Sequence, residues 1–480
     1  MSTDVLARDV RRIAWPAIAS SLLQTLVFVV DRVMLGHHGA ASLAGMQIAG
    51  PLEWSIFSVV SAFEVGTLAR VGLHVGAGRK KESRRVTVVS LALALVSGVA
   101  LALATPLVLR AVSATAPLSS PEAVREATRY LGVMLPASPV VFVSTAAIAV
   151  FQGRGDTRTP LVVGGLVNVL HVAQNRVLVL GAFGIPALGA LGAGLSTALS
   201  FTLQSAVLLV LLRRKLREDD PEAPLFEGIR GEVRPLVRVG APAFGERVVY
   251  HIGYLGYAGM VALLGDTAMA ANQALISVES VCFLSADGFG IAAAALVAQR
   301  LGRGEPEEGA RAARIATTYA VLTLTGLGAV SFLARGLVLP AFCDDPKVLA
   351  AGLATMPVLV LAQPFMAVGV VRAQALRGAG ATGKALGVSL VGALVVRLVG
   401  TWVFAYALGL GLVGIWLGST VDWIVRAALF AFVRLPRAKA KSSLGSGGLG
   451  ASVGEERLEP GPPAPHAEER APVDREGRAE

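Results

Sequence analysis

Apolar residues in this chain neither alternate with polar ones nor recur as a narrow helical stripe. They run on for about 20 residues at a time, the length an α-helix needs to cross a hydrocarbon layer of about 30 Å. Twelve such runs can be drawn between charged residues or Gly and Pro, at 13–35, 49–73, 86–109, 130–151, 161–182, 188–212, 239–262, 274–298, 312–336, 350–376, 385–405 and 410–433. No stretch has the two-residue alternation of a half-buried strand. Since lipid tolerates only backbone that satisfies its own hydrogen bonds, the pattern predicts an all-α integral membrane protein of twelve spans.

The polar breaks between runs organise the chain. The longest internal one, "REDDPEAPLFEGIRGEVRP" from Arg217 to Pro235, lies near the middle. It predicts a six-helix bundle over 1–212, a cytoplasmic linker at 213–238 and a second bundle over 239–433. From 434 to 480 the sequence turns to Gly, Ser, Pro and mixed charge, a composition expected to stay disordered as a cytoplasmic tail. The two bundles also echo one another in sequence. At an offset of 226, Pro16 meets Pro242, Gly39 meets Gly265, Gln47 meets Gln273, Glu53 meets Glu279, Phe63 meets Phe289, and Gly76, Gly78 and Glu82 meet Gly302, Gly304 and Glu308. Six spans is an even number, so both halves enter the membrane in the same sense. That is the parallel-repeat plan of secondary transporters, with two lobes around a cavity near the midplane.

Composition agrees: 54% of residues are hydrophobic, 16% are charged, and mean hydropathy is +0.65. The net charge of +10 suggests nucleic acid until the basic residues are mapped. Taking alternate connections from the N-terminus, one side carries 27 Lys and Arg and the other 5. The excess side is cytoplasmic by the positive-inside rule, which puts both termini there in an inner or plasma membrane; these residues are anchors and partners for membrane lipids, and no nucleic-acid module is expected. The N-terminal run is too long, and too charged at Asp31 and Arg32, for a cleavable signal. Cys282 and Cys343 form no disulfide framework.

Candidate chemistry begins with Asp31, in the first run. An acid at the centre of a spanning helix costs about 2.5–3.5 kcal/mol on insertion scales, and such groups usually face a bundle interior or a water pathway. The competing reading is an acid near the interface, or one statically neutralised by Arg32 or Arg176. On the seventh run Glu246, Tyr250, Tyr254 and Tyr257 are spaced for one helical face, which suits an amphiphilic cation through charge and cation–π attraction. The alternative is an interfacial tyrosine belt, with Glu246 paired to Arg247 or Arg238. Glu53 and Glu279 fall about one turn into the second and eighth runs and read as solvated helix-start acids favoured by the N-terminal dipole, unless a family resemblance implies that these runs line a cleft, where they would form a cation-attracting vestibule. Glu64 and Asp287 lie deeper in the same two runs; Glu64 suits a proton path or a pair with Arg70. Arg397 and Asp422 read as a structural pair. In "GRGDTRTP", Thr159 before Pro160 fits an N-cap and first helical residue.

"PAIASSLLQTLVFVVDRVMLGHHG", "VGAGR", "FQGRGDTRTP", "ALGALGAGLSTALS", "VALLGDTAMAANQ", "GIAAAALVAQRLGRGEPEEGARAA" and "LRGAGATGKA" occur in that order, and over 12–433 the chain resembles the multidrug and toxic compound extrusion (MATE) family. The resemblance implies a two-lobe antiporter, with no enzyme activity and no cofactor, that exports cationic or amphiphilic small molecules in exchange for protons or sodium ions and acts as a monomer. It makes Asp31 the coupling acid. His171 and Asn175 stand where related members show Asn and Asp. This departure disfavours sodium and favours a proton shared between Asp31 and His171. By the repeat, Tyr257 takes the place of Asp31, so the second lobe lacks that acid. The ion-coupling candidates are thus Asp31, His171, Asn175 and Glu64; the substrate candidates are Glu246, Tyr250, Tyr254, Tyr257, Glu53 and Glu279. Sodium coupling, a lipid-linked precursor flippase and an integral-membrane enzyme are the alternatives. No Walker sequence, metal-ligand cluster or nucleophile elbow is found.

Overall fold

A computed structural model describes residues 3–114, 120–219, 229–342 and 345–436. Cys343, the middle of the inter-lobe linker and nearly all of the C-terminal tail lie outside the described residues. Among the described residues the regular elements are helices, and extended pairing is limited to one isolated bridge between Ala182 and Ile185.

The first half comprises α1 (Thr3–His38), α2 (Ala40–Val60), α3 (Glu64–Gly76), α4 (Lys80–Ser113), α5 (Pro121–Met134), α6 (Ser138–Gly153), α7 (Arg158–Leu178) and α8 (Ala190–Asp219). The second comprises α9 (Arg230–Ala262), α10 (Asp266–Arg303), α11 (Pro306–Leu333), a single turn α12 (Arg335–Val338), α13 (Pro346–Gly378), α14 (Thr382–Ser389), α15 (Arg397–Trp402) and α16 (Gly411–Phe432). All described residues belong to one compact unit.

Among the described residues ten helices are long and apolar enough to cross a membrane, counting α2–α3 and α14–α15 as single spans, and the pair α5–α6 supplies an eleventh. The twelfth expected span is α9, 33 residues long, whose Glu246, Arg247, His251 and three tyrosines make it more polar than the rest. Helix ends differ from the apolar runs because helices continue past the hydrocarbon on polar residues. So 213–219 and 230–238, expected as linker, are helical in α8 and α9. The fourth expected span bends by 60° between α5 and α6, where Pro136 and Pro139 interrupt the hydrogen-bond ladder. The second contains one 3-10 turn, Ser61–Phe63, and the eleventh contains two π-wide stretches, Leu390–Val396 and Val403–Ala407. Thr159 is not the cap of α7: the helix begins at Arg158, and the Asp156 carboxylate accepts both the Thr159 amide, at 3.0 Å, and its hydroxyl, at 2.8 Å.

Helix α10 is central, packing on α13, α11, α1 and α3. Its buried face is a run of alanines, Ala292 to Ala295 and Ala298, and small residues let helices approach closely where apolar solvent supplies no hydrophobic drive. The closest approach is between α3 and α10. A β-carbon on Gly76 would overlap the carbonyl of Gln299, and one on Gly302 would overlap the carbonyl of Leu73. These two glycines are partners at the repeat offset.

Polar contacts ring this seam. Gln299 Nε2 donates to the Gly153 carbonyl at 2.9 Å, and the buried Arg300 reaches Glu308 at 2.8 Å, Glu305 at 3.1 Å and Asp9 of α1 at 3.4 Å. Arg70 of α3 meets Glu232, in the first turn of α9, at 2.6 Å, with the His74 ring 3.7 Å from the same oxygen. Arg70 therefore pairs with Glu232 and not with Glu64. Burial alone would push the Glu232 carboxyl up, but the adjacent His74 ring and Arg70 guanidinium outweigh it and hold it at about 2. A depressed carboxyl stabilises the fold above its unfolded value, about 4.3, and that contribution is lost as pH falls through about 2. Between those two values Glu232→Gln is expected to flatten the pH dependence of melting in detergent. Parallel melting curves for wild type and variant across that window would refute this assignment.

Candidate functional site

Asp31 sits in the last two turns of α1, and α7 presents His171 and Asn175 to it from successive turns of one face. His171 Nε2 lies 2.9 Å from Asp31 Oδ1, and Asn175 Nδ2 donates to the same oxygen. Asn175 Nδ2 and His171 Nε2 are 3.0 Å apart, closing a triangle. His171 and Asn175 are buried, whereas the Asp31 side chain keeps 15% exposure.

Helix α8 supplies the support. Ser196 Oγ donates to Asn175 Oδ1, turning the amide nitrogen towards the carboxylate. Ser200 Oγ lies 3.1 Å from His171 Nδ1 and donates to Gln174 Oε1, also at 3.1 Å. With its proton on Gln174, the Ser200 oxygen accepts from His171 in the tautomer that carries its hydrogen on Nδ1. Ser196 and Ser200 did not emerge as candidates from the sequence. They are spaced i, i+4 in one span and face an i, i+4 polar pair in the preceding span, a pattern that could have found them.

Arg176 does not neutralise Asp31; it turns away and donates to the Gly181 carbonyl at 3.2 Å. Arg32 is exposed, and among the described residues it forms no ion pair with its neighbour.

The other candidates are dispersed. Glu53 accepts a hydrogen bond from Tyr130 at 2.8 Å, and its charge reaches Asp31. It lies 13 residues into α2, as Glu279 does in α10, about 20 Å along each helix rather than one turn. Neither is a helix-start acid. Glu279 lies within electrostatic reach of Arg397. Glu64 begins α3 just after the 3-10 turn, beside Thr145, and its Oε1 is buried without a hydrogen-bond partner.

The expected face of α9 is divided. Glu246 is buried and accepts from Arg377 Nη2 at 2.7 Å, from Arg377 Nε at 3.1 Å and from Ser389 Oγ at 2.7 Å. Its partner is thus neither Arg247 nor Arg238, and a carboxylate with its oxygens occupied in this way is not presented to a ligand. Tyr257 is also buried, donating to Asn272 Oδ1 at 2.9 Å within the second lobe's core, where Trp416 Nε1 shares the same acceptor at 3.1 Å. Only Tyr250 and Tyr254 face the other half, each 6.3 Å from the ring of Trp54 on α2, with His251 4.7 Å from that ring. Trp54 was not a sequence candidate. In the second lobe, Arg397 Nε donates to Asp422 Oδ2 at 2.8 Å, joined there by Arg426.

With this geometry in view, comparison with known proteins settles the family. The MatE family model matches twice, at 16–177 and 242–403, two segments displaced by the 226 residues of the internal repeat. The chain belongs to the MATE family. Among the relatives of this MATE transporter, a Thermotoga maritima protein named "Probable multidrug resistance protein NorM" is 28% identical over 431 residues, covering 88% of this chain and 91% of that one. A Pseudomonas aeruginosa protein of the same name is 29% identical over 434 residues, covering 86% and 85%. Among solved structures, one described as "Outward-facing conformation of a multidrug resistance MATE family transporter of the MOP superfamily" superposes with a TM-score of 0.81 at 21% identity, covering 88% of this chain and 94% of that chain. That likeness establishes the shared twelve-helix, two-lobe fold.

Proposed function

We propose that this MATE transporter is a multidrug exporter that moves cationic or amphiphilic small molecules out of the cell in exchange for protons, with Asp31 and His171 as one proton-binding unit. The observation that carries this reading is the triangle of Asp31 Oδ1, His171 Nε2 and Asn175 Nδ2, together with the tautomer in which His171 Nδ1 donates to Ser200. Any proton between Nε2 and Oδ1 is then the second on the ring or the first on the carboxyl. Remove it, and a carboxylate oxygen faces a nitrogen lone pair at 2.9 Å, with the Asn175 amide nitrogen beside both. That contact is repulsive, so α1 and α7 separate when the proton leaves and close when it returns. Proton binding from outside repacks the first lobe and weakens its hold on the substrate; release inside resets it.

Sodium coupling is the second reading. Two nitrogens, from His171 and Asn175, face Asp31 where sodium prefers oxygens, and the Asn175 carbonyl is occupied by Ser196. On the substrate side, the edge-on cluster of Trp54, Tyr250 and Tyr254 between the lobes is the aromatic surface suited to a lipophilic cation. The named relatives, as multidrug resistance proteins, support this substrate class. The test is uptake of a fluorescent lipophilic cation into inverted vesicles, driven separately by an imposed proton gradient and an imposed sodium gradient. Uptake with the proton gradient alone is expected. Uptake with the sodium gradient alone would remove the proton reading, and none with either would favour a lipid-linked precursor as cargo.

A further inference from the structure

A shallow cavity of about 300 Å³ opens between α11 and α13, away from the coupling site, lined by Arg314, Thr317, Thr318, Val321, Leu322 and Arg372. Its two arginines come from different helices but the same level. Arg314 follows the start of α11 by eight residues and Arg372 precedes the end of α13 by six, about 12 Å and 9 Å from helix ends on one side of the bundle. That side carries the α10–α11 turn and Asp9, which meet through Arg300, so by the excess of basic residues it is the cytoplasmic one.

Among the described residues neither arginine has a carboxylate partner. Asp287 accepts from Gln374, Glu308 is engaged by Arg300, and Glu246 by Arg377. Arg372 is partly buried, and its charge and that of Arg314 are close enough to repel each other. Both threonine hydroxyls donate to their own helix, Thr317 to the Ala313 carbonyl and Thr318 to the Arg314 carbonyl, so the donors free to hold a ligand here are guanidinium N–H groups. Deeper along α11 the lining turns apolar, and Leu322 is 64% exposed on a surface that faces lipid.

Two guanidiniums without a carboxylate on one wall and an apolar strip below form a site with a charged head and a greasy body. We propose that this groove binds an anionic phospholipid of the cytoplasmic leaflet, its phosphate bridging Arg314 and Arg372 and an acyl chain lying along Val321 and Leu322. A phosphodiester offers two unesterified oxygens and one negative charge, which relieves the repulsion between the arginines and allows a paired N–H···O contact to each. A zwitterionic headgroup would bring a cation back into an already positive pocket. The bound lipid ties α11 to α13 in the second lobe. The inference rests on the orientation read from the basic residues and is independent of which ion drives transport.

Native mass spectrometry of the purified full-length protein tests it, with phosphatidylglycerol or phosphatidylcholine added. Phosphatidylglycerol is expected to bind preferentially. Each of Arg314→Gln and Arg372→Gln is expected to weaken it by about fivefold, the effect of one basic residue at an anionic surface, and the double variant by about 25-fold. Arg335→Gln removes the same charge at the opposite end, where Arg335 caps the Phe332 carbonyl, and is expected to change nothing. Should the double variant fail to fold, the single variants carry the comparison. Equal retention of the two lipids by wild type would overturn the proposal, as would wild-type affinity in the arginine variants. Displacement of phosphatidylglycerol by equimolar inorganic phosphate would make this a site for soluble anions and overturn the lipid assignment.

Discussion

Asp31→Asn is expected to reduce proton-driven uptake of a lipophilic cation to the level of protein-free vesicles while leaving the folded yield unchanged. The introduced amide is nearly isosteric with the carboxyl and carries no titrating charge, and its nitrogen can donate to His171 Nε2 once the Asn175 amide, which donates to this position in the wild type, turns aside. The variant therefore imitates the protonated pair permanently: α1 and α7 stay together, and no proton is released. His171→Ala should act differently, leaving an acid that titrates without the imidazole that gives the pair its second proton site. A residual flux with a changed pH profile is expected there. The measurement is the initial uptake rate in inverted vesicles at several external pH values, with protein amount normalised by immunoblot. Wild-type rates in Asp31→Asn would exclude the pair from coupling, whatever the His171 result.

A second large effect is expected in the other lobe and concerns stability. Asp422 is fully buried and holds two arginines, Arg397 at 2.8 Å and Arg426 at 2.6 Å, whose guanidiniums lie 5.6 and 4.3 Å from the Trp423 ring. Gly392, in the first π-wide stretch, leaves the space they fill, since a β-carbon there would collide with Arg426 and Asp422. Asp422→Ala strands the buried Arg426 and takes from the partly buried Arg397 its hydrogen-bonded partner, and losing one partner of such a network costs about 3–5 kcal/mol. Thermal melting in detergent should show a much less stable protein. Replacing all three charged residues by apolar ones of similar volume should recover most of the loss, because the penalty belongs to the unpaired cations rather than to the absence of a salt bridge. An Asp422→Ala protein that melts with wild type would show the cluster to be hydrated and this account wrong.

Spans, repeat and first-lobe acid were legible in the sequence for one reason: each is a departure from what lipid tolerates, and lipid is a demanding solvent. The assembly of Asp31 with His171 and Asn175 was legible through the family resemblance, which sets this i, i+4 pair of the fifth span against the first-lobe acid. The α9 face, read from spacing, failed. Glu246 and Tyr257 do share a side of the helix with Tyr250 and Tyr254, but partners 131 and 15 residues away in sequence, Arg377 for one and Asn272 for the other, draw those two side chains into the second lobe. Spacing states which residues can look the same way, not what is waiting there. The breaks were hidden for a related reason. The 3-10 turn before Glu64 and the π-wide turns around Arg397 leave the hydropathy of their spans unchanged, while altering where each charge points.

The crossing of α3 and α10 has a bioenergetic consequence. At Gly76 and Gly302 the two helices touch backbone to backbone, and no side chain separates them. Water cannot thread such a contact, and without a file of water a proton has nothing to hop along. On the proton-coupled reading, that crossing closes one route by which an idle copy in an energised membrane would short-circuit the gradient it uses.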